Sequence, residues 1–248
     1  MKTPLNRQNG IVAILDALGA ASYTDDEICK FLQSRAKVLE LLGLKIEDMP
    51  DRISREEIEV FTFNDTVIIA YKTGSNEPNL IQISTFFMIL RKFLVDSLSQ
   101  GILFRGSVSI GTFYVDDKSN TVMGQAVTDA AAWYDKADWI GIQATPLASI
   151  VIQRRLESDV VMKSHLMLDY DVPLKNGEKV RVKAVNWVKI FFLKSLTPCI
   201  GDESKRGKVL ELLSRHSVPL GTEKKYFNTI AFFDHAVLEI KDRKKQGQ

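Results

Sequence analysis

The sequence has few cysteines and no excess of charge of one sign. Its 248 residues include two cysteines, Cys29 and Cys199, which lack the spacing of a zinc site or a disulfide framework. Basic residues number 33 and acidic residues 31, so the formal net charge is only +2. This balance argues against a dedicated nucleic-acid-binding protein, and the cysteine usage predicts a protein of the reducing cytoplasm.

Long hydrophobic runs are also missing. No stretch approaches the roughly 20 apolar residues that a membrane-spanning helix needs. Asp16 interrupts the apolar run near the N-terminus before it reaches the length of a signal sequence. The chain is therefore expected to be a soluble globular protein that does not itself associate with membranes.

The apolar residues that are present predict alternating strands and helices over the first 145 residues. Gly10 to Leu15 is typical of a buried strand, and Thr24-Asp25-Asp26-Glu27 is a capping box that begins a helix. Asn64-Asp65 separates two strand-like runs and predicts a tight hairpin. A second helix, an alternating strand, a third helix and a short strand complete the order βαββαβαβ.

The last third of the chain is predicted to be an accessory region. It contains a helix, two strand-like runs joined at Asn176-Gly177 and a final helix, followed by a basic tail from Lys241 to Gln248 that is expected to fray. We therefore expect a catalytic core over residues 1–160. Residues 161–248 would form a C-terminal extension that completes the same domain.

Two acidic residues stand at predicted strand ends, Asp16 after the first strand and Asp65 in the hairpin. If these strands are neighbours, both carboxylates lie at one edge of the sheet, where oxygen ligands suit Mg²⁺ or Mn²⁺. Two such ions can stabilise both the attacking and the leaving oxygen of a phosphoryl transfer. The alternative is structural, because an aspartate after a strand is often a helix N-cap and Asn-Asp is common in turns.

Four segments resemble, in order and spacing, the core motifs of class III nucleotidyl cyclases. They are ILDALG at 14–19, FND at 63–65, FRGSVSIG at 104–111 and GQAVTDAA at 124–131. The phrases FRGSVSIGTFY and AAAWYDKADWIGI are similar to the stand-alone bacterial cyclases of the Pycsar anti-phage systems, which make cyclic UMP or cyclic CMP. The resemblance covers roughly residues 10–160.

The resemblance implies an α+β fold, a ferredoxin-like βαββαβ sandwich with accessory C-terminal strands and helices. It also implies a head-to-tail homodimer with active sites at the subunit interface and two Mg²⁺ or Mn²⁺ ions in each. The implied metal ligands are Asp16, Asp65 and the main-chain carbonyl of Ala17. The turn expected to hold the terminal phosphates comprises Gly19, Ala20 and Ala21, and Arg105 matches a phosphate-binding arginine.

The sequence departs from the family pattern at four positions. Phe61 and Thr121 stand where purine cyclases carry the polar pair that reads the base, which favours a pyrimidine substrate. Thr128 and Ala132 stand where the transition-state Asn and Arg are usual. Thr128 could still bind the ribose, but Ala132 carries no charge. Either another cation replaces the arginine, with Lys183, Lys179 and Arg181 as candidates, or the site is slow.

The resemblance implies a metal-dependent pyrimidine nucleotide cyclase that converts UTP, or CTP, to the cyclic nucleotide and pyrophosphate, and the preference for UTP and cyclic UMP rests on the resemblance alone. The product would be a second messenger in anti-phage defence and would activate a separate effector protein. Two alternatives remain open at this point. One is an adenylate or guanylate cyclase, and the other is a non-catalytic nucleotide-binding module on the same fold.

Overall fold

The computed structural model describes residues 6–20, 23–47, 57–116, 119–157, 166–192, 202–215 and 220–245. The strands within these ranges are β1 (Asn6–Ala17), β2 (Ile58–Phe63), β3 (Thr66–Lys72), β4 (Phe104–Asp116), β5 (Thr121–Met123), β6 (Ile142–Ala144), β7 (Met167–Pro173) and β8 (Lys179–Val185). The helices are α1 (Asp25–Glu47), α2 (Leu80–Ser99), α3 (Gln125–Lys136), α4 (Pro146–Glu157), α5 (Asp202–Ser214) and α6 (Glu223–Lys245), with a 3₁₀ helix at Trp187–Phe192.

The strands form one sheet with the order β2-β3-β1-β4-β6-β8-β7, and β5 pairs with the end of β4. The strands β2, β3, β1 and β4 pair antiparallel, and their order is that of a ferredoxin-like βαββαβ unit. This confirms the fold expected from the sequence. Because β4 pairs in parallel with β6, and β8 and β7 follow, the predicted C-terminal hairpin extends the same sheet.

Different helices cover the two faces of the sheet, and side chains point alternately to one face and the other along each strand. Ile11, Ala13 and Leu15 of β1 face α1 and α2 in the larger apolar cluster. Val12 lies on the other face, in a smaller cluster with Ala126 of α3. We call these the two-helix face and the α3 face. Asp16 has the parity of Val12 and therefore belongs to the α3 face.

Side-chain caps fix where the first two helices begin. In the predicted capping box, the backbone N–H and Oγ1 of Thr24 both donate to Oε2 of Glu27, at 2.8 and 2.9 Å. Asn79 and Gln82 form a second capping box at the start of α2. These caps satisfy backbone groups that a helix end leaves without partners.

Helix α6 is joined to the segment after α3 by a buried polar contact that we call the α6 junction. Lys225 forms an ion pair with Asp138, and the two side chains are only 8% and 14% exposed. Asn228 donates to the carbonyl of Asp138 at 2.6 Å, and Oγ1 of Thr229 accepts the N–H of Ile140 at 2.8 Å. The C-terminal helix thus holds residues 138–140 in place.

One detail of the C-terminal region differs from the sequence-based expectation, and another element was not expected at all. Helix α6 continues to Lys245, so the basic tail is helical over most of the stretch expected to fray. Helix α5 has no counterpart among the predicted elements. Within the described ranges, no helix combines the length and the apolar character needed to cross a membrane.

Candidate active site

A row of side chains crosses four strands on the α3 face at the C-terminal end of β1. The register pairs Phe63 with Thr66, Thr66 with Asp16, and Asp16 with Arg105. Directly opposed residues in antiparallel strands have neighbouring Cβ atoms. The sheet therefore brings together an acid, a guanidinium and a hydroxyl, with the exposed ring of Phe63 at the end of the row.

Arg105 binds Asp16 through two nitrogens. Nε and Nη2 lie 3.0 and 2.9 Å from Oδ2 of Asp16, and both side chains are about 15% exposed. The guanidinium also lies over the ring of Tyr134, 5.3 Å from its centroid, and its Nη1 is 3.9 Å from Oδ1 of Asp135. Contacts on three sides fix the plane of the guanidinium.

The hairpin places Asp65 next to the end of β1. Asn64 adopts a positive φ of 52°, as expected for a tight turn between strands. The N–H of Ala17 donates to the carbonyl of Asp65 at 3.2 Å, and the Arg35 side chain donates to the carbonyl of Asn64. The tip of the hairpin is thus tied to the strand that carries Asp16.

The shift in the pKa of Asp16 is consistent with a second carboxylate, that of Asp65, close to it. Burial raises the pKa of Asp16, and the negative charge of Asp65 raises it further, while the charge and hydrogen bonds of Arg105 act in the opposite direction. The pKa of Tyr134 is also raised, chiefly by burial and then by Asp16. A hydrogen bond from Lys175, at 2.6 Å, lowers the pKa of Asp135.

The turn after β1 is shaped by a glycine and by hydrogen bonds from both sides. Gly19 has a φ of 87°, which favours glycine. The N–H of Leu18 donates to the carbonyl of Leu103 at 2.8 Å, and the hydroxyl of Tyr23 donates to the carbonyl of Leu18 at 3.3 Å. Ala20 follows in the turn, whereas Ala21 lies outside the described residues.

The backbone next to Arg105 is packed unusually closely. A Cβ at Gly106 would lie 2.5 Å from the carbonyl oxygen of Ile14 and 2.6 Å from a side-chain carbon of Leu15. The N–H of Gly106 donates to the carbonyl of Gly141 at 2.9 Å. The strand that carries Arg105 is therefore held between β1 and the segment that follows the α6 junction.

Of the two expected base-reading positions, Phe61 lies beside this row and Thr121 lies far from it in the same chain. Phe61 stands two residues before Phe63 on β2, is 7% exposed and packs with Ala126 of α3 on the α3 face. Thr121 pairs with Asp116 at the far end of β4. Eleven residues of strand separate Asp116 from Arg105, which corresponds to about 35 Å.

Thr128 and Lys183 are likewise remote from Asp16 in the same chain. Thr128 is exposed on the outer side of α3, one turn before the exposed Ala132. The Nζ of Lys183 lies 2.8 Å from Asp169, and Lys183 is 7% exposed on β8, three strands from β1. The strand alternation places Lys183 on the two-helix face, because the neighbouring Ala184 pairs with Gln143, whose amide donates toward α3.

Two residues of the cluster have no role in the sequence-based site. Tyr134 and Asp135 reach Arg105 from the last turn of α3, and Asp135 links Arg105 to Lys175 at the β7–β8 turn. The nearby Trp139 lies in the core instead and is fully buried.

The residues at this end of the sheet suit a hard divalent cation. The carboxylates of Asp16 and Asp65 are oxygen donors, and the field of Asp65 that raises the pKa of Asp16 is what a bound cation would offset. Among the described residues, no group of three or more His, Cys, Asp or Glu side chains is placed to hold a metal ion. A further protein ligand would therefore be a backbone oxygen, as implied for Ala17.

No model of a known protein family matches the chain, and no curated protein matches it. Among solved structures, it is similar to the adenylyl cyclase CyaB from P. aeruginosa, with 12% identity over 74% of this chain and 96% of that chain and a TM-score of 0.47. It is also similar to the catalytic core of a rhodopsin-guanylyl cyclase with converted specificity in complex with ATPαS, with 12% identity, coverage of 74% and 98%, and a TM-score of 0.47. An adenylate/guanylate cyclase/hydrolase from Silicibacter pomeroyi matches with 16% identity, coverage of 73% and 97%, and a TM-score of 0.40. No function follows from a likeness of this extent.

Proposed function

We propose that the protein is a metal-dependent pyrimidine nucleotide cyclase that converts UTP, or CTP, to the 3′,5′-cyclic nucleotide and pyrophosphate. The observation that supports this most directly is the pairing of Asp16 with Arg105 beside Asp65 at one sheet edge. Two carboxylates for a cation, next to a fixed guanidinium for phosphate oxygens, are what phosphoryl transfer requires. The motif resemblance supports a cyclase among the enzymes that use this combination.

In the proposed reaction, the ribose 3′-oxygen forms a bond to the α-phosphorus, the bond from that phosphorus to pyrophosphate breaks, and the hydroxyl proton passes to solvent. A divalent cation held by Asp16 and Asp65 would supply positive charge at the reacting oxygens. Arg105 would exchange a bond to Asp16 for one to a phosphate oxygen. Tyr134 and Asp135 would keep the guanidinium plane in position meanwhile.

The preference for a pyrimidine base is supported by what stands at the two base-reading positions. Phe61 offers no hydrogen bond, and the hydroxyl of Thr121 bonds with Ser119 within its own turn. Neither side chain reproduces the polar pair typical of purine cyclases. The choice of UTP over CTP is supported by the resemblance alone.

The remote positions of Thr121 and Thr128 support the expected homodimer, whereas Lys183, buried on the two-helix face, is not placed to reach Asp16 from either copy. If Thr121 and Thr128 contribute to catalysis, a second copy has to supply them, because they lie far from Asp16 in their own chain. Mixing two inactive variants tests this. Asp65→Ala and Thr128→Trp dimers should each be inactive, and the mixture should regain up to about a quarter of the activity, since half of randomly paired dimers have one intact site. An absence of recovery in mixed dimers would refute the shared site.

Incubation with Mn²⁺ and each of the four ribonucleoside triphosphates, followed by mass analysis of the products, tests the reaction itself. Cyclic UMP or cyclic CMP with equimolar pyrophosphate is the expected result. Cyclic AMP or cyclic GMP as the main product would replace this proposal with the adenylate or guanylate cyclase. Asp65→Ala should abolish product, whereas Asp234→Ala, which removes an exposed carboxylate paired with Arg206, should leave it unchanged.

A non-catalytic nucleotide-binding module is the second candidate, and one observation favours it. Ala132, at the position of the usual transition-state arginine, is exposed and uncharged, and Arg105 is already bound to Asp16. Such a module would bind a triphosphate without releasing pyrophosphate. Isothermal titration with UTP, run beside the product assay, separates binding from turnover.

The anti-phage role of the product is proposed on the resemblance to the Pycsar cyclases. In cells that carry the protein, cyclic UMP should rise after phage infection and should activate a separate effector protein in the cytoplasm. Cells carrying the Asp65→Ala variant should show neither the rise nor protection. A constant level of the product during infection would contradict a signalling role.

A further inference from the structure

Strand β4 has a gap along one edge. On the side away from β1 it pairs with β6 at residues 106–108 and with β5 at residues 114–116. Ile110 and Thr112 lie between these two stretches. A strand edge without a neighbour presents backbone donors and acceptors in the plane of the sheet.

The hydrogen bonds on both sides show which residues point into the gap. The carbonyl of Leu103 accepts from Leu18, the residue after β1. The N–H of Gly106 donates to Gly141 and the carbonyl of Val108 accepts from Thr145, both on the opposite side of β4. This alternation continues along an antiparallel strand. The backbone N–H and C=O groups of the even-numbered residues of β4 therefore point away from β1, in the plane of the sheet. The N–H and C=O of Ile110 and the N–H of Thr112 therefore face the gap.

These backbone groups lie in the wall of a cavity. It has a volume of about 360 Å³ and is bounded by β4, the first turns of α3 and one side of α4. Ile110 is 6% exposed. In the part of the chain that the structure describes, no protein group forms a hydrogen bond with the N–H of Ile110 or Thr112. Buried backbone groups are almost always paired, with protein, water or a ligand.

The shape of the gap limits what can fill it. At one end Thr145 leads into α4, and at the other end β5 begins, so an added strand could not run past Ile110 and Thr112. The C=O of Ile110 and the N–H of Thr112 together match an adjacent donor and acceptor on one ring edge, as in a nucleobase or a cyclic amide. A small planar molecule therefore fits better than a peptide.

The charges around the cavity favour a neutral ligand. Its lining includes the carboxylates of Glu77 and Asp129 and the guanidinium of Arg154. Asp129 accepts the hydroxyl of Ser109 at 2.7 Å, and Glu77 binds Arg155 at 2.9 Å. Glu77 also lies 3.8 Å from Arg154, so two carboxylates and two guanidiniums balance around the cavity, and no unpaired positive charge is left to attract a phosphorylated ligand.

We propose that this gap in β4 is a binding site for a neutral planar heterocycle that offers an adjacent hydrogen-bond donor and acceptor, such as a nucleobase. The site is separate from the Asp16 cluster, since Ile110 lies five residues along β4 from Arg105, about 17 Å, and its backbone groups point away from β1. The proposal does not depend on the cyclase reaction.

Titration of the ¹⁵N-labelled protein with uracil tests the site directly, with 1,3-dimethyluracil as the matched control. The dimethyl compound keeps the ring but has no N–H to donate. Uracil should shift the amide signals of Ile110 and Thr112, and the dimethyl compound should not. Equal shifts with both compounds, or no shift with either, would overturn the proposal.

Two exposed aliphatic side chains on α4, Leu147 and Ile150, provide a matched pair of variants. Leu147 lines the cavity and is 54% exposed, whereas Ile150 is 57% exposed and does not line it. Leu147→Trp should weaken uracil binding by about tenfold or more, because the indole takes up space needed by the ring. Ile150→Trp should bind uracil like the unsubstituted protein. Equal affinity in both variants would place uracil elsewhere and contradict the proposal.

Discussion

Asp16 and Asp138 each bind a basic side chain from another element, yet their surroundings differ. The Asp138–Lys225 pair at the α6 junction is 14% and 8% exposed, and Asn228 and Thr229 bond to the neighbouring backbone. The Asp16–Arg105 pair is about 15% exposed on both sides, but a second acid, Asp65, adds its charge. Exposure is similar in the two pairs, so the neighbours decide the role.

The comparison separates a pair that joins elements from one suited to chemistry. At the α6 junction, hydrogen bonds satisfy the groups around the ions, and the pair fixes α6 against residues 138–140. At Asp16, burial and a like charge disfavour the ionised carboxylate, and a cation or phosphate can change that balance. The first pair should matter for stability and the second for activity.

Loss of Lys225 should have the largest effect on stability. Lys225→Ala leaves Asp138 buried without its cation, which costs about 3–5 kcal/mol of unfolding free energy. Urea unfolding followed by circular dichroism measures this. Arg206→Ala, which breaks the exposed pair with Asp234, is the control and should leave the midpoint unchanged. Similar midpoints for the two variants would show that the junction does not hold α6.

Loss of Arg105 should affect activity more than stability. Arg105→Ala should lower kcat/KM for the triphosphate by about 10²–10³-fold, because a fixed donor to the phosphates is removed. Its urea midpoint should fall by less than that of Lys225→Ala, because Asp16, whose pKa burial already raises, can bind a proton once the guanidinium is lost. Arg105→Lys keeps the charge without the two-point contact and should recover only part of the activity. If Arg105→Ala instead lost stability and kept activity, the two pairs would have the opposite roles.

A smaller effect is expected at Thr229. Thr229→Val removes the acceptor for the N–H of Ile140 and leaves that buried donor unpaired, at a cost of about 1–3 kcal/mol. Thr128→Val changes an exposed threonine on α3 in the same way and should leave stability unchanged. Thermal unfolding of the two variants measures the difference. No difference between them would mean that water replaces the lost acceptor.

The smallest effect concerns pH and Asp16. The folded protein holds a proton on Asp16 more tightly than the unfolded chain, whose pKa is near 3.8, so the contribution of Asp16 to stability is full below that pH. This contribution falls as the pH rises through the raised pKa. Asp16→Asn should remove this part of the pH dependence and slightly raise the urea midpoint at neutral pH. A lower midpoint for the variant would mean that attraction to Arg105 outweighs burial.

The fold was largely predictable because its signals are local. The capping box at Thr24, the Asn64-Asp65 hairpin and the alternation around Arg105 each mark an element from a few residues. Strand β5 is only three residues long, and helix α5 contains Gly207 and lacks a clear apolar stripe, so neither gave a comparable signal. Short or weakly patterned elements form because of their neighbours.

The site was predictable only where strand ends determine it. The neighbouring positions of Asp16 and Asp65 follow from strand order, which the pattern indicated. The contacts of Tyr134 and Asp135 with Arg105 depend on how the end of α3 is placed over β4, and sequence spacing does not encode this. The remote position of Lys183 depends on which face of β8 it occupies, which was also not visible.

The close packing at Gly106 has a consequence for how this site can vary. A side chain there would meet Ile14 and Leu15 and separate β4 from β1, and Asp16 and Arg105 would then no longer be opposite each other. The charged residues could be exchanged for other residues of similar size without moving the backbone. The position beside them has no such freedom, so the distance between the acid and the base is set by a residue that has no side chain.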